Sequence, residues 1–458
     1  MRAKKKRGVG AIHSAQRLAR RGMAARSFAR EAVRRLGRNT DEIIAPLSLG
    51  YIPGRLARGR LVEDSTRESS SRYLATRTFG EAPSHGTPAG LAVAAAAERI
   101  ITPSTCEHLR TRGYAIVDGA MEGIDVDGVP LAEAMLNELR SLSSSPGVMA
   151  RNATVLVGKD GVANRLEKSN IFEAEVHALS EESLADAPTL RAAWEDRTQL
   201  TLLNVMLPAR APPQSLHYQS VKLQRNAGRG GCFPLHFDSD AGLDARVVTA
   251  LTYLNPTWKP GDGGELVLFP FPDDPIKVEP IAGRVVLFSS ANTLHRVLPS
   301  AAERFCFTTW FFAKQARSDD GDEGRTTTHT GAASTQLARK AADKYWGSGK
   351  SNDDLWPEPG AEEIRTMREC EALLAPGMRK HLLRLVHAEE WAASIAESHP
   401  DTPERTKALE THRREVDVIA RAIGGRYPRG LARIGSAMGS ERGGAVRERL
   451  GGLEVRWF

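Results

Sequence analysis

Residues 221–312 hold eight short segments in which apolar and polar positions alternate with a period of two, and this run constrains the fold more than any other part of the 458-residue chain. Strands are expected at 221–226, 232–238, 246–255, 264–270, 276–280, 284–290, 294–299 and 304–312. Turn-forming residues separate them: Gly228-Arg229-Gly230-Gly231, Pro260-Gly261-Asp262-Gly263-Gly264, Pro272-Asp273-Asp274-Pro275 and Ala282-Gly283. Glycine supplies positive φ without a Cβ clash, and proline presets φ for a turn. Many short strands at regular spacing argue for a sandwich or barrel, specifically a double-stranded jelly roll.

The flanking segments change period. Residues 91–101 favour helix. A capping box, with Ser104 as N-cap and Glu107 three residues later, predicts a second helix as far as Arg112, stopped by Gly113. Residues 114–117 read as a strand. Residues 130–142 form an amphipathic helix with Leu131, Met135, Leu136 and Leu139 on one face, and helical character returns at 190–200. Beyond the strands, residues 316–352 are rich in Ser, Thr, Gly and Asp and read as a linker. Residues 361–422 then read as two or three helices. Ile364, Met367, Cys370 and Leu373 keep helical spacing, as do Leu382, Leu383 and Leu385, and Pro403 opens another helix. From Gly424 onward the tail is Gly- and Arg-rich and is expected to be loose. The expected class is α+β: a jelly-roll core, supporting N-terminal helices and a separate C-terminal helical region. Its divisions are 1–90, 91–315 with the core at 221–312, the 316–352 linker and 353–458.

Charge separates the head from the body. Residues 1–40 carry thirteen Lys or Arg against one acid, Glu31, while the whole chain is only +7, so the remainder is mildly acidic. An arginine-rich, acid-poor, weakly amphipathic start fits organelle targeting to a mitochondrion or plastid. The run Lys4-Lys5-Lys6-Arg7 fits nuclear import or nucleic-acid contact equally in kind, and a solvated basic tail in nucleus or cytoplasm is the plain alternative. Nucleic acid is expected to meet the chain only through this head. Four scattered cysteines, Cys106, Cys232, Cys306 and Cys370, point to reduced intracellular thiols. No apolar run reaches membrane-spanning length, so no membrane partner is expected.

The chemistry concentrates in the strands. His236 and Asp238 stand two apart on one strand, so both side chains share a face and can reach one metal. A lone H-x-D is weak, and such a histidine is often structural. His295, 57 residues after Asp238 and at the start of a later strand, is the natural third ligand. Two imidazoles and one carboxylate with open positions form the set associated with non-haem Fe(II). Arg304 then lies on the next strand among apolar residues. A buried guanidinium needs an anion, and a carboxylate of a dicarboxylic co-substrate pairs with it bidentately. The alternative is a strand-end surface arginine. His387 in the helical region has no second histidine at helical spacing and reads as a solvated face. Asp240 and Asp244 read as loop residues.

Taken together, 230–238 (GGCFPLHFD), 251–256 (LTYLNP), 263–269 (GGELVLF), 283–290 (GRVVLFSS), 295–300 (HRVLPS) and 304–310 (RFCFTTW) resemble the catalytic core of the prolyl 4-hydroxylase-like branch of the Fe(II)/2-oxoglutarate dioxygenases. The resemblance is strong over about a fifth of the chain, 221–312, and looser over 96–315. It implies that His236, Asp238 and His295 bind Fe(II), and that Arg304 holds the distal carboxylate of 2-oxoglutarate. Tyr253 would donate to the same carboxylate, and Thr308 and Trp310 would line the pocket. It implies O2 as the second co-substrate, ascorbate as an auxiliary reductant, and a protein or peptide substrate hydroxylated at a prolyl or related side chain, with release of succinate and CO2. Family members carry a tyrosine about ten residues before the first histidine. Here none stands in register: Tyr218 lies earlier, on a loop or strand end, and Gln224 takes the place. Loops at 143–180 and 239–246 are expected to shape the barrel mouth. Two rival readings are a jelly-roll adaptor acting through its basic head and helical tail, and a metal-bound cupin-like enzyme that does not use 2-oxoglutarate.

Overall fold

In a computed structural model of the chain, residues 52–53, 84, 86–157, 163–207, 215–239, 245–313, 361–439 and 446–458 are described. The basic head, the 316–352 linker, Asp240 and Asp244 lie outside the described residues. Fourteen strands are described. They are β1 (Ile52–Pro53), β2 (Tyr114–Val117), β3 (Asp125–Val126), β4 (Val129–Pro130), β5 (Ala150–Val157), β6 (Ala163–Glu175) and β7 (Leu216–Asn226). They continue with β8 (Gly231–His236), β9 (Arg246–Tyr253), β10 (Leu266–Phe269), β11 (Ile276–Val278), β12 (Val285–Ser289), β13 (Leu294–Ser300) and β14 (Arg304–Ala313). Before the jelly roll and within its supports stand α1 (Pro88–Ile100), α2 (Pro103–Arg112), α3 (Leu131–Ser144), α4 (Glu181–Ala185), α5 (Pro188–Glu195) and α6 (Thr198–Met206). After it come α7 (Ala361–Leu374), α8 (Arg379–Val386), α9 (Ala388–Ser398), α10 (Pro403–Arg426), α11 (Pro428–Gly439) and α12 (Val446–Arg449).

Two antiparallel sheets make the jelly roll. The major sheet runs β1-β5-β6-β7-β14-β9-β12-β2 and the minor sheet β11-β10-β13-β8. Their inner faces meet in one buried cluster: Phe233, Leu266, Leu268, Val278 and Val297 from the minor sheet, Ile171, Leu251, Tyr253, Val286 and Phe288 from the major. Strand parity decides the rest. On β9, Thr249, Leu251 and Tyr253 share the inner side, while Val248 and Ala250 turn out against Leu109 of α2 and Leu203 of α6. On β7 and β14, Val221, Leu223, Phe305 and Phe307 turn out against α1, α3 and α5 through Val93, Leu139 and Leu190.

The cap of α2 falls two residues before the position that the capping box gives it. Thr102, not Ser104, is the N-cap, and its Oγ1 accepts from Thr105 N at 3.1 Å. Pro103 at the first helical position lacks the N–H that would go unpaired there, which moves the start of the helix ahead of Ser104. Residues 150–157 and 163–175, expected as loops, are instead the hairpin β5–β6, which widens the major sheet beyond β7. Tyr218, expected on a loop or strand end, lies within β7 and stacks on Phe312 with ring centroids 4.3 Å apart.

The C-terminal helices cover the outer face of the minor sheet. Leu235, Phe269, Phe271 and Leu294 are buried in one cluster with Leu373, Leu382, Leu383, Trp391, Ile434, Leu450 and Trp457. The expectation of a loose tail is corrected here. Pro428–Gly439 is a helix that buries Leu431, Ile434 and Ala437, and Trp457 is 1% exposed. Glycines and arginines between those apolar positions had masked a helical spacing. Among the described residues no helix is long and apolar enough to cross a membrane.

Candidate active site

β8 and β13 are neighbours, and His295 pairs directly with His236 across them. Asp238 follows two residues after His236, and one ligand atom from each of the three lies within 4.8 Å of the others, all three side chains being buried. His236 Nε2 and His295 Nε2 stand 3.5 and 3.6 Å from Asp238 Oδ1. Both distances are short enough for the two imidazoles and the carboxylate to share one ion. Each imidazole is oriented from behind. His236 Nδ1 lies 2.8 Å from Pro234 O and His295 Nδ1 lies 3.1 Å from Thr293 O, which leaves both Nε2 atoms facing the carboxylate.

The free oxygen of Asp238 is held as well. Its Oδ2 accepts from Thr249 Oγ1 at 2.7 Å and from Trp310 Nε1 at 3.2 Å, and Ser290 Oγ stands 2.8 Å from Thr249 Oγ1. Burial works to raise the Asp238 carboxyl, but His295, His236 and the Thr249 hydroxyl outweigh it and hold it well below the usual carboxylate range. Burial, helped by His236 and opposed by Asp238, pushes the His295 imidazole down to about 4. At neutral pH the site therefore offers an ionised carboxylate and a neutral His295, the protonation states that coordination requires. The donor set fits Fe(II) with positions left open.

Arg304 lines the same cavity from β14 and is 1% exposed. Its Nη1 lies 3.4 Å from Gln224 Oε1 and 3.5 Å from Cys306 Sγ. Its Nε and Nη2 have no hydrogen-bond partner among the described residues. The guanidinium carbon sits 4.9 Å from the Tyr253 ring centroid, and the buried Tyr253 hydroxyl interacts with that guanidinium. Burial pushes the Tyr253 hydroxyl up to about 12, so it stays a neutral donor. Gly264 makes room here: at φ +76, a Cβ on it would come within 3.0 Å of Arg304 Cδ. A buried cation with unpaired donors is costly unless an anion reaches it.

The structure thus brings His236, Asp238, His295, Arg304, Thr308 and Trp310 to one cavity, with Gln224 beside the arginine. Tyr253 stands behind Arg304 and is not part of the cavity lining. His387 lies away from the site, its ring 4.9 Å from that of Phe269. The hairpin adds a polar wall that the sequence reading missed. Lys168 Nζ donates to Asn152 Oδ1 at 2.6 Å and Thr154 Oγ1 at 3.1 Å. Burial pushes that ammonium down to about 8, with Glu173 working the other way. Lys222 Nζ lies 3.3 Å from Glu173 Oε2 and 3.2 Å from Glu175 Oε1. The signal available was the strand-prone Ala153-Thr154-Val155-Leu156-Val157. Nearer Asp238, Arg246 lies over the Trp310 ring at 4.3 Å and donates from Nη1 to Asp238 O at 2.8 Å.

The family model of the 2OG-Fe(II) oxygenase superfamily matches residues 221–312. The match takes in the jelly-roll strands that carry the triad and Arg304. Members of that superfamily use Fe(II), 2-oxoglutarate and O2, and the buried triad here fits the iron. Prolyl hydroxylase EGLN3 of Mus musculus is 37% identical over 98 residues, which are 20% of this chain and 39% of that protein. Egl nine homolog 1 of Homo sapiens is 35% identical over 98 residues, 20% of this chain and 22% of that one. The chain therefore matches well under half the length of these curated relatives. A crystal structure of a prolyl 4-hydroxylase from Phytophthora capsici shares the fold with a TM-score of 0.51 and 27% identity, covering 74% of this chain and 94% of that one. That span is wider than residues 91–315, so the likeness to this oxygenase extends past the jelly roll.

Proposed function

We propose that the protein is a 2-oxoglutarate-dependent dioxygenase that hydroxylates an unactivated C–H of a peptidyl proline or related side chain. The observation that carries the reading is the pairing, in one cavity, of a buried His-Asp-His triad with a buried guanidinium that keeps two N–H donors unpaired. Those donors suit one carboxylate of a keto-diacid, in the planar bidentate geometry that only arginine offers. Tyr253, buried behind Arg304 and interacting with its guanidinium, orients that fork in this reading. The proline preference is supported by the relatives, which are the prolyl hydroxylase EGLN3 and the prolyl 4-hydroxylases of Phytophthora capsici.

The division of labour follows from the side chains. When bound, the iron supplies O2 activation, with 2-oxoglutarate as the two-electron donor. One oxygen atom ends in succinate as CO2 leaves, and the other ends in the hydroxylated substrate. His236, Asp238 and His295 would hold the iron, and the cavity beside them would take co-substrate and O2. Thr249 and Trp310 fix the carboxylate so that it presents a single oxygen. Arg304 anchors the far end of the co-substrate and so sets the approach of its keto-acid end. Phe233, Leu251, Leu266 and Phe288 line the cavity with apolar surface that excludes water from the reacting atoms.

The deciding experiment incubates purified full-length protein with Fe(II), 2-oxoglutarate, ascorbate and a proline-rich peptide library. Succinate should form, and mass spectrometry should find peptides heavier by one oxygen. Absence of both succinate and iron-dependent 2-oxoglutarate binding would falsify the reading and leave an adaptor. Succinate with oxygen gained on residues other than proline would keep the co-substrate class and overturn the substrate.

A further inference from the structure

Alternate residues of an extended chain point to opposite sides, so the neighbours of His236, Asp238 and His295 turn away from the cavity. Those neighbours meet a single helix, α9. The Leu235 N–H donates to Ser394 Oγ at 3.0 Å, and Ser394 Oγ in turn donates to Trp391 O at 2.7 Å. The Phe237 ring, between the first two ligands, lies 6.2 Å from the Trp391 ring. Arg296, beside His295, donates from Nη2 to Glu397 Oε2 and has Nη1 3.9 Å from Glu390 Oε1.

The strands alone hold these ligands loosely. Among the described residues β8 is the edge strand of the minor sheet, with no strand beside it opposite β13. Its ladder with β13 shifts register twice, between His295 and Val297 and again between Val297 and Ser300. The His236–His295 pair therefore sits at the end of a ladder that is irregular on its far side, and α9 supplies support that the ladder does not. The helix is itself fixed from behind: His412 Nε2 lies 2.8 Å from Ala388 O, and Arg384 sits over the Trp391 ring at 5.0 Å.

We infer that α9 is a positioning element for the iron ligands, with Ser394 and Glu397 as positioning residues that act through Leu235 and Arg296. This rests on the metal-centre reading above. Groups that orient metal ligands commonly change metal affinity by ten- to a hundredfold when removed. Unlike the cavity residues, these touch neither co-substrate nor substrate, so their effect should fall on the metal.

The test titrates the full-length apoprotein with Co(II), read by its visible absorption, and compares Ser394→Ala, Glu397→Ala and Glu397→Gln with the parent. Dissociation constants should rise roughly tenfold for both alanine variants, with an altered visible band. Glu397→Gln keeps an oxygen that accepts from Arg296 and should recover most of the affinity. Glu397→Gln keeps an acceptor on the buried Arg296, so the melting temperature of its apoprotein should stay near the parent value, whereas Glu397→Ala leaves Arg296 with Glu390 at 3.9 Å and should melt lower. Affinities within twofold of the parent in both alanine variants would overturn the inference while leaving the oxygenase reading intact. A parent that binds no Co(II) would sink the metal centre, and the inference with it.

Discussion

At the scale of single residues, the unpaired donors of Arg304 carry an opposite consequence for stability and for binding. In the apoprotein the guanidinium is buried without a counter-ion, so it costs more than an apolar group of similar length. In the loaded protein the same donors meet a carboxylate, and hydrogen bonds to charged groups contribute about 1.5–3 kcal/mol. Arg304→Met should therefore leave urea stability of the apoprotein unchanged or raised. Calorimetric affinity for 2-oxoglutarate should fall roughly ten- to a hundredfold, in line with that range. Arg304→Lys should recover little, because a point charge does not reproduce the planar fork. Parent-like affinity in the methionine variant would place the anion elsewhere. This site was legible from sequence for two reasons. The two-residue spacing of His236 and Asp238 fixes their shared side, and Arg304 interrupts an apolar strand. Gln224 was legible only from its place in the resemblance, and Thr249 and Ser290 were not legible, because hydroxyls on strands have many uses and nothing in their spacing picks one.

At the scale of elements, α2 and the chain's end are fitted to one another. Gly113 ends α2 at φ 79, and a Cβ there would stand 2.1 Å from Trp457 Cε3. The Trp457 carbonyl accepts from Ser289 Oγ at 2.7 Å and from Asn292 Nδ2 at 2.9 Å, next to the strand that supports Asp238 through Ser290. Gly113→Ala should combine left-handed strain of about 1–2 kcal/mol with expulsion of the indole. Loss of a packed tryptophan costs about 3–5 kcal/mol. In a Trp457→Ala background the same glycine substitution should cost only the strain. Urea unfolding of the four-protein cycle should then show coupling of about 2 kcal/mol or more, and additivity within about 0.5 kcal/mol would show the indole is not seated there. The jelly-roll strands were legible because half-buried antiparallel strands alternate cleanly. The β5–β6 hairpin was not, because its cavity wall carries Asn152, Lys168 and Glu173, which erase the alternation. An apolar helical stripe likewise says that a face is buried, and not against what, so the docking of α7 to α12 could not be read.

For the whole molecule, the C-terminal helices join the minor sheet in one core, and two buried histidines in that layer tie its stability to pH. His399 and His412 are 3% and 2% exposed, and burial pushes each down to about 4. Lys168 and Arg405 add to the effect at His399, and Arg384 and Arg413 at His412. An unfolded histidine titrates near 6.5, so between about 6.5 and 4 the unfolded chain binds more protons than the native one. Stability from these groups is fully present above that window and is lost as pH falls through it. At 1.36 kcal/mol per pKa unit each histidine accounts for about 3 kcal/mol at most. Glu138 works the other way, since burial raises its native pKa and favours the fold as acid is added. Asp238 belongs with the histidines in sign, but its contribution disappears only below the ordinary carboxylate range. Urea unfolding of the apoprotein should lose several kcal/mol between pH 7 and about 4.5. His412→Gln keeps a donor for Ala388 O and removes the titration, so its curve should be flatter by up to about 3 kcal/mol. A parent whose stability is level across that range, or a glutamine variant as acid-sensitive as the parent, would mean that the helical layer opens to water and does not seal the sheet.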